Sequence, residues 1–281
     1  MVPPDEPEGR GPAGGRAHHP DPEAPGMSDH QFVRIAREGA VGTLTLNRPE
    51  VLNACNPATH REIQRAIDEL EACDEVRVLV LRGAGRAFCS GSDLREVGVM
   101  KGREAQAYIR LDFSTKTRIA TCAKPVIASL QGHVAGGGFE MALACDMRLV
   151  ADDVQFSLPE IRLGTIPGSG GLQRLPQIVG LGIAKEWAMT GRRIGAEEAH
   201  LRGLANAVHP PAELQERTMA FAQELAQRSA TALALCKVAL DPAPPSPDGL
   251  VGIYHRLASQ ACHEDPGYHR EARRFRKGAV P

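Results

Sequence analysis

Three short apolar runs do most to limit the folds open to this chain. Val78-Leu79-Val80-Leu81 is continuous rather than alternating, and Pro125 to Leu130 and Met147 to Val150 look similar, each with a single polar residue, Ser129 and Arg148. A strand with one wet face alternates between apolar and polar residues, whereas a continuous run suits a strand covered on both faces. Val41 to Leu46 mixes Thr with Leu and reads as a half-buried strand, ended by Asn47-Arg48-Pro49. Asn56 then reads as an N-cap with Pro57 at the first helical position. Ile63, Ala66, Ile67 and Leu70 follow at helical spacing, which predicts an amphipathic helix to about Cys73. Strand, helix and buried strand recur, so the expected class is α/β with a layered core.

The last third has little strand character. Leu214, Phe221, Ala222 and Leu225 mark one helical stripe, and Leu233, Cys236 and Leu240 mark another. Asp241 to Pro247 is too rich in proline to continue a helix. Leu250 to Ala261 and Gly267 to Lys277 resume helical patterns. At the other end, residues 1–26 hold seven prolines and five glycines and show no apolar period. Such a segment cannot offset its ordering entropy, so it reads as a disordered extension. Its five acidic residues against two arginines are unlike a mitochondrial transit peptide. Met27 opens the globular sequence and is a candidate for the natural start. Three regions follow: the extension 1–26, a core 27–210 and a helical region 211–281.

Composition removes several function classes. A net charge of −1 gives no basic footprint for nucleic acid. No apolar stretch approaches the ~18 residues of a membrane helix. The seven scattered cysteines form no C-x-x-C pair and follow no secretory stretch, so reduced thiols in a cytoplasmic protein are expected, with no disulfide or metal site.

Two glutamates carry the chemistry. Glu140 closes His133-Val134-Ala135-Gly136-Gly137-Gly138-Phe139-Glu140, and Glu160 follows Pro159 ahead of the turn-rich Gly164 to Gly171. A helix beginning at the glycine run would present unpaired N–H groups at its positive dipole end, suited to a developing oxyanion. Glu140 would then lie about one turn along the same surface. Two carboxylates converging on one pocket repel, and burial raises at least one pKa, so one can hold a proton while the other accepts one. The plainer alternatives are a flexible glycine loop with a first-turn glutamate, and a capping or surface role for Glu160. A flexible linker seldom sits between two buried elements.

These motifs resemble the crotonase, or enoyl-CoA hydratase/isomerase, superfamily. The likeness runs from about Gln31 into the C-terminal helices. It includes Leu46 to Pro49 with Leu52-Asn53-Ala54, Arg86 to Leu94, Lys124 to Ala128, Gly132 to Glu140, Cys145-Asp146, Phe156 to Glu160 and Gly164 to Arg174. The resemblance implies a spiral of ββα-like turns with a helical C-terminal region, and a homotrimer or dimer of trimers built through residues 211–281. It implies an acyl-CoA thioester as substrate, with coenzyme A entering as part of that substrate and no other cofactor. The oxyanion hole maps to the backbone N–H groups of Ser92 and Gly137, the catalytic pair to Glu140 and Glu160, and the water-fixing N–H to Gly168. Contacts to substrate or coenzyme A map to Ala87, Phe88, Ser90, Gly91, Asp93, Leu94, Gly136 and, more loosely, Lys277. Acyl-chain selectivity would come from residues between about Val97 and Ile119 and from the C-terminal helices. Both carboxylates together point to a hydratase, in fatty-acid or related acyl-CoA metabolism. The rivals are a Δ3-Δ2 isomerase relying on the Glu160 position and a non-catalytic acyl-CoA-binding subunit. Outside this set, His133 reads as a hydrogen-bonded residue behind the pocket, and Cys89 and Cys145 read as small core residues.

Overall fold

A computed structural model describes residues 30–240 of the chain. The extension 1–26, the proline-rich stretch after Leu240, the two helices expected beyond it, and Lys277 lie outside the described residues.

The chain enters as a hairpin of β1 (Val33–Glu38) and β2 (Val41–Leu46), antiparallel, with Val33 opposite Leu46 and Glu38 opposite Val41. Helix α1 (Pro57–Ala72) follows, capped as its sequence predicts: Asn56 Oδ1 accepts the Thr59 N–H at 2.9 Å, and Pro57 opens the helix. Losing such a cap typically costs about 1 kcal/mol. Ile63, Ala66, Ile67 and Leu70 all face the core. Next come β3 (Val78–Gly83), the single turn α2 (Leu94–Val97) and the long α3 (Gly102–Ala120). They are followed by β4 (Val126–Leu130), β5 (His133–Ala135), α4 (Gly137–Ala144), β6 (Met147–Ala151) and β7 (Gln155–Ser157). A 3-10 turn (Pro159–Leu163) leads into α5 (Gly171–Val179) and α6 (Leu181–Thr190). The described residues end with β8 (Ile194–Gly195), α7 (Ala196–Leu201), β9 (Ala207–His209), α8 (Leu214–Ala226) and α9 (Ala230–Ala239).

Six strands form the main sheet in the order β1-β2-β3-β4-β6-β9, parallel from β2 onward. The smaller sheet runs β5-β7-β8. Each of β4 and β6 feeds a strand of the small sheet and then a helical segment. Isolated pairings of Cys55 with Ser92 and of Cys89 with Val134 carry the same step back through the two preceding turns. This is the spiral of ββα-like turns that the resemblance implies.

The apolar runs are buried on both faces, and the two faces differ. Leu79 and Leu81 join the large core with α1 and α4, while Val78 and Val80 join a second cluster against α8. Strand β2, expected to be half-buried, is buried throughout. Its threonines mislead because they are buried with partners: Thr45 Oγ1 accepts from Arg82 Nε at 2.9 Å, and Thr43 Oγ1 lies 4.0 Å from Met219 Sδ. The stripe on α8 also differs from expectation. Leu214, Thr218, Ala222 and Ala226 are the buried set, spaced every four residues, while Phe221 is 37% exposed. Thr218 can sit there because its hydroxyl donates to the Leu214 carbonyl at 2.7 Å. On α9 no residue is fully buried, and both Cys236 and Leu240 are exposed.

Candidate active site

The loop after β3 and the start of α4 abut with almost no side-chain atoms between them. Gly91 has φ +100°, and a Cβ there would lie 2.9 Å from the Ala135 carbonyl and 3.2 Å from the Gly137 nitrogen. Gly136, the N-cap of α4, has φ +53°, a backbone state that disfavours L side chains. A Cβ on Gly138 would fall 2.4 Å from the Cys89 carbonyl. The absence of side chains therefore lets the two segments meet. Ser92 is fixed from both sides, since Cys55 N–H donates to Gly91 O at 2.8 Å and Asp93 N–H to Cys55 O at 2.9 Å. The N–H groups of Ser92 and Gly137 have no hydrogen-bond acceptor among the described residues. A Cβ placed on Gly137 would lie 3.8 Å from the Ser92 nitrogen, so the two donors are neighbours.

Both predicted carboxylates converge on this junction. Glu140 lies in the first turn of α4 and is 2% exposed. Its Oε1 accepts from the N–H groups of Ser169 at 2.7 Å and Gly171 at 2.9 Å. Burial raises its pKa, against the pull of the Lys116 ammonium and those two N–H groups. Glu160 arrives on the 3-10 turn after β7. A Cβ on Gly136 would lie 3.1 Å from its Oε1, and its Oε2 is buried without a hydrogen-bond partner among the described residues. Burial, with the negative charge of Glu140 adding to it, pushes its pKa up to about 7. One carboxylate is clamped by two main-chain donors and the other keeps one oxygen, Oε2, without a partner among the described residues, so a proton shared by the pair favours Glu160.

The other predicted residues divide sharply. The side chains of Ala87 and Phe88 are in the core, and the Phe88 N–H is engaged by the Gln131 carbonyl, so only remaining main-chain atoms could meet a ligand there. Ser90 donates its N–H to Leu52 O at 3.0 Å. Asp93 is engaged structurally: it caps α2 through the Arg95 N–H and pairs with Arg48 at 3.0 Å. Leu94 is 56% exposed. Gly168 is exposed, one residue before Ser169, which with Gly171 supplies the main-chain donors on Glu140. His133, expected as a hydrogen-bonded residue behind the pocket, is exposed at the start of β5, where the alternation of the strand buries Val134 instead. Cys89 and Cys145 are core residues as expected.

Sequence reading missed a buried polar cluster on α3. Asp112 accepts from Lys116 and from Ser169 Oγ, and its Oδ1 lies 3.1 Å from His60 Nε2. Burial, reinforced by the Lys116 charge, lowers the His60 pKa to about 3, so the imidazole is neutral and donates Nε2–H to Asp112. Burial alone would raise Asp112, but Lys116 and His60 hold its carboxyl below the usual range. Burial likewise opposes the Lys116 charge, and Asp112 prevails and raises its pKa. Tyr108 donates to Ser92 Oγ at 2.7 Å. The cluster thus runs from the Ser92 loop to the clamp on Glu140. Its signal was available: Tyr108, Asp112 and Lys116 are spaced every four residues, a polar stripe on one helix face.

Comparisons with known proteins identify the family of the chain. The enoyl-CoA hydratase/isomerase family model matches residues 36–249. The chain is similar to a short-chain-enoyl-CoA hydratase of Clostridium acetobutylicum, 38% identical over 210 residues, 74% of this chain and 80% of that protein. It is also similar to the mitochondrial enoyl-CoA hydratase domain-containing protein 2 of Homo sapiens, 36% identical over 226 residues, 78% of this chain and 77% of that one. Among solved structures, an enoyl-CoA hydratase from Bacillus anthracis superposes with a TM-score of 0.84 at 31% identity, covering 89% of this chain and 98% of that chain.

Proposed function

The chain belongs to the enoyl-CoA hydratase/isomerase family, and on that premise we propose that it adds water to a trans-2-enoyl-CoA to give a 3-hydroxyacyl-CoA. The observation that carries this reading is the pair of carboxylates, Glu140 clamped through Oε1 by Ser169 and Gly171 and Glu160 at Gly136 with its Oε2 unpartnered among the described residues, together with the open N–H groups of Ser92 and Gly137. The thioester carbonyl accepts from those two N–H groups, which hold negative charge as it develops on oxygen. Ionised Glu140 takes a proton from water as the water oxygen bonds to the β carbon. The electron pair of the double bond moves to the enolate, and Glu160 delivers its proton to the α carbon. The proton gained by Glu140 returns to Glu160 before the next cycle. Every step is acid/base chemistry, so coenzyme A enters only as part of the substrate and no further cofactor is required. Exposed Leu181, Met189 and Leu201 supply apolar surface consistent with assembly as a trimer or a dimer of trimers. The scattered thiols support a reducing, cytoplasmic setting. Among the described residues no helix is long and apolar enough to cross a membrane.

Oε2 of Glu160, unpartnered among the described residues, favours one second reading, a Δ3-Δ2 isomerase in which that carboxyl shuttles a proton between two carbons. Incubation with crotonyl-CoA and with a 3-enoyl-CoA separates the two. Hydration of crotonyl-CoA supports the hydratase; double-bond migration of the 3-enoyl-CoA without any hydration overturns it. Tight binding of both thioesters without turnover would indicate a binding subunit.

A further inference from the structure

The ammonium of Lys116 lies beside the two proposed oxyanion donors. A Cβ built on Gly137 has as its nearest atoms Lys116 Nζ at 3.4 Å, with Gly91 Cα and the Ser92 nitrogen each at 3.8 Å. No carboxylate oxygen is among those three, so the positive end of the Lys116–Asp112 pair is the one turned toward the donors. Burial disfavours the charged form of Lys116, but the Asp112 carboxylate outweighs it and raises the pKa. The residue is 1% exposed, so solvent screens this charge little. Asp112 is held by two further donors, His60 Nε2 at 3.1 Å and the Ser169 hydroxyl. Its negative charge is therefore shared among three donors, whereas Lys116 makes one hydrogen bond among the described residues.

We infer that Lys116 is an electrostatic positioning residue behind the oxyanion hole: its buried charge polarises the thioester carbonyl held by Ser92 and Gly137 and stabilises the enolate formed from it. This rests on the hydratase reading for placing the carbonyl at those two N–H groups. A fixed charge in a water-poor site acts across several ångströms without touching the substrate. The ground-state carbonyl oxygen carries a partial charge and the enolate oxygen nearly a full one, so the gain is larger in the transition state. Part of that gain is offset. Burial raises the Glu140 pKa and the Lys116 charge opposes it, so the same ammonium also favours the ionised base.

The absorption band of a conjugated thioester tests this without turnover. Excitation of 2,4-hexadienoyl-CoA moves electron density onto the carbonyl oxygen, so a positive charge near that oxygen shifts the band to longer wavelength. On the wild-type protein the saturated complex should show such a red shift relative to the free thioester. Lys116→Met should lose most of it. In the same variant kcat for crotonyl-CoA should fall at least about tenfold, with KM changed by less than about threefold. Because that substitution strands Asp112, the double variant Lys116→Met/Asp112→Asn provides the same comparison in a neutral cluster. A lysine with a merely structural role would lower Tm or affinity and leave the band of the bound thioester where the wild type puts it. A full red shift in whichever of the two variants folds would overturn the inference, as would no red shift on the wild type. If the shift depends on Lys116 while the wild type does not hydrate crotonyl-CoA, the hydratase reading fails and the role of Lys116 stands. If the wild type hydrates crotonyl-CoA and the shift survives the loss of Lys116, the hydratase reading stands and that role fails.

Discussion

The Ser169 N–H lies 2.7 Å from Oε1 of Glu140. The same residue turns its hydroxyl to Asp112, so one serine joins the proposed catalytic carboxylate to the ion pair on α3. The main-chain and side-chain halves of that link have separable consequences.

Ser169→Ala removes the hydroxyl and keeps the N–H. Asp112 then loses a donor in a buried site, at a cost of about 1–3 kcal/mol. Chemical denaturation should show that loss, while kcat for crotonyl-CoA stays within about tenfold of wild type because the clamp on Glu140 persists.

Ser92→Ala tests the oxyanion donor in the same way. The proposed donor is main chain, so the rate should change by less than about threefold. Tyr108 loses its 2.7 Å acceptor, and stability should fall by about 1 kcal/mol. A hundredfold loss of kcat in steady-state assays would mean that the hydroxyl itself takes part.

Glu160 should govern the pH response. In the proposed mechanism the acid form delivers the proton, so kcat/KM should decline as pH rises through about 7. Stability follows the same group. A carboxyl whose pKa is raised on folding binds its proton more tightly in the native state. Its stabilising contribution is therefore complete below the ordinary carboxylate value of 4.5 and is lost as pH rises through about 7. Thermal unfolding of Glu160→Gln, which cannot ionise, should show a Tm advantage over wild type that grows between those two values and levels off above them.

How much was legible in the sequence depended on whether the cause was local. Asn56-Pro57 specifies a helix start through groups three residues apart, and the cap forms as read. The run at Val78 reported burial on both faces because nothing polar interrupts it, and the run at Val126 did so despite Ser129, whose hydroxyl is buried against Thr218. Thr43 and Thr45 gave the wrong exposure for β2, since their partners Met219 and Arg82 come from distant elements. The glutamates were visible through their glycine and proline settings. The clamp was not: Ser169 and Gly171 reach Glu140 across about thirty residues, and a main-chain donor leaves no mark in residue type. Lys116 and Asp112 look like an ordinary exposed i,i+4 pair until α3 is packed over the site.

Paired catalysis by Glu140 and Glu160 is tested most directly by crotonyl-CoA hydration in Glu140→Gln and Glu160→Gln, with circular dichroism confirming that each variant is folded. Each substitution keeps the side-chain shape and removes the proton exchange. Each should lower kcat by about 100- to 10,000-fold. Hydration within about threefold of wild type in either folded variant would contradict the paired mechanism.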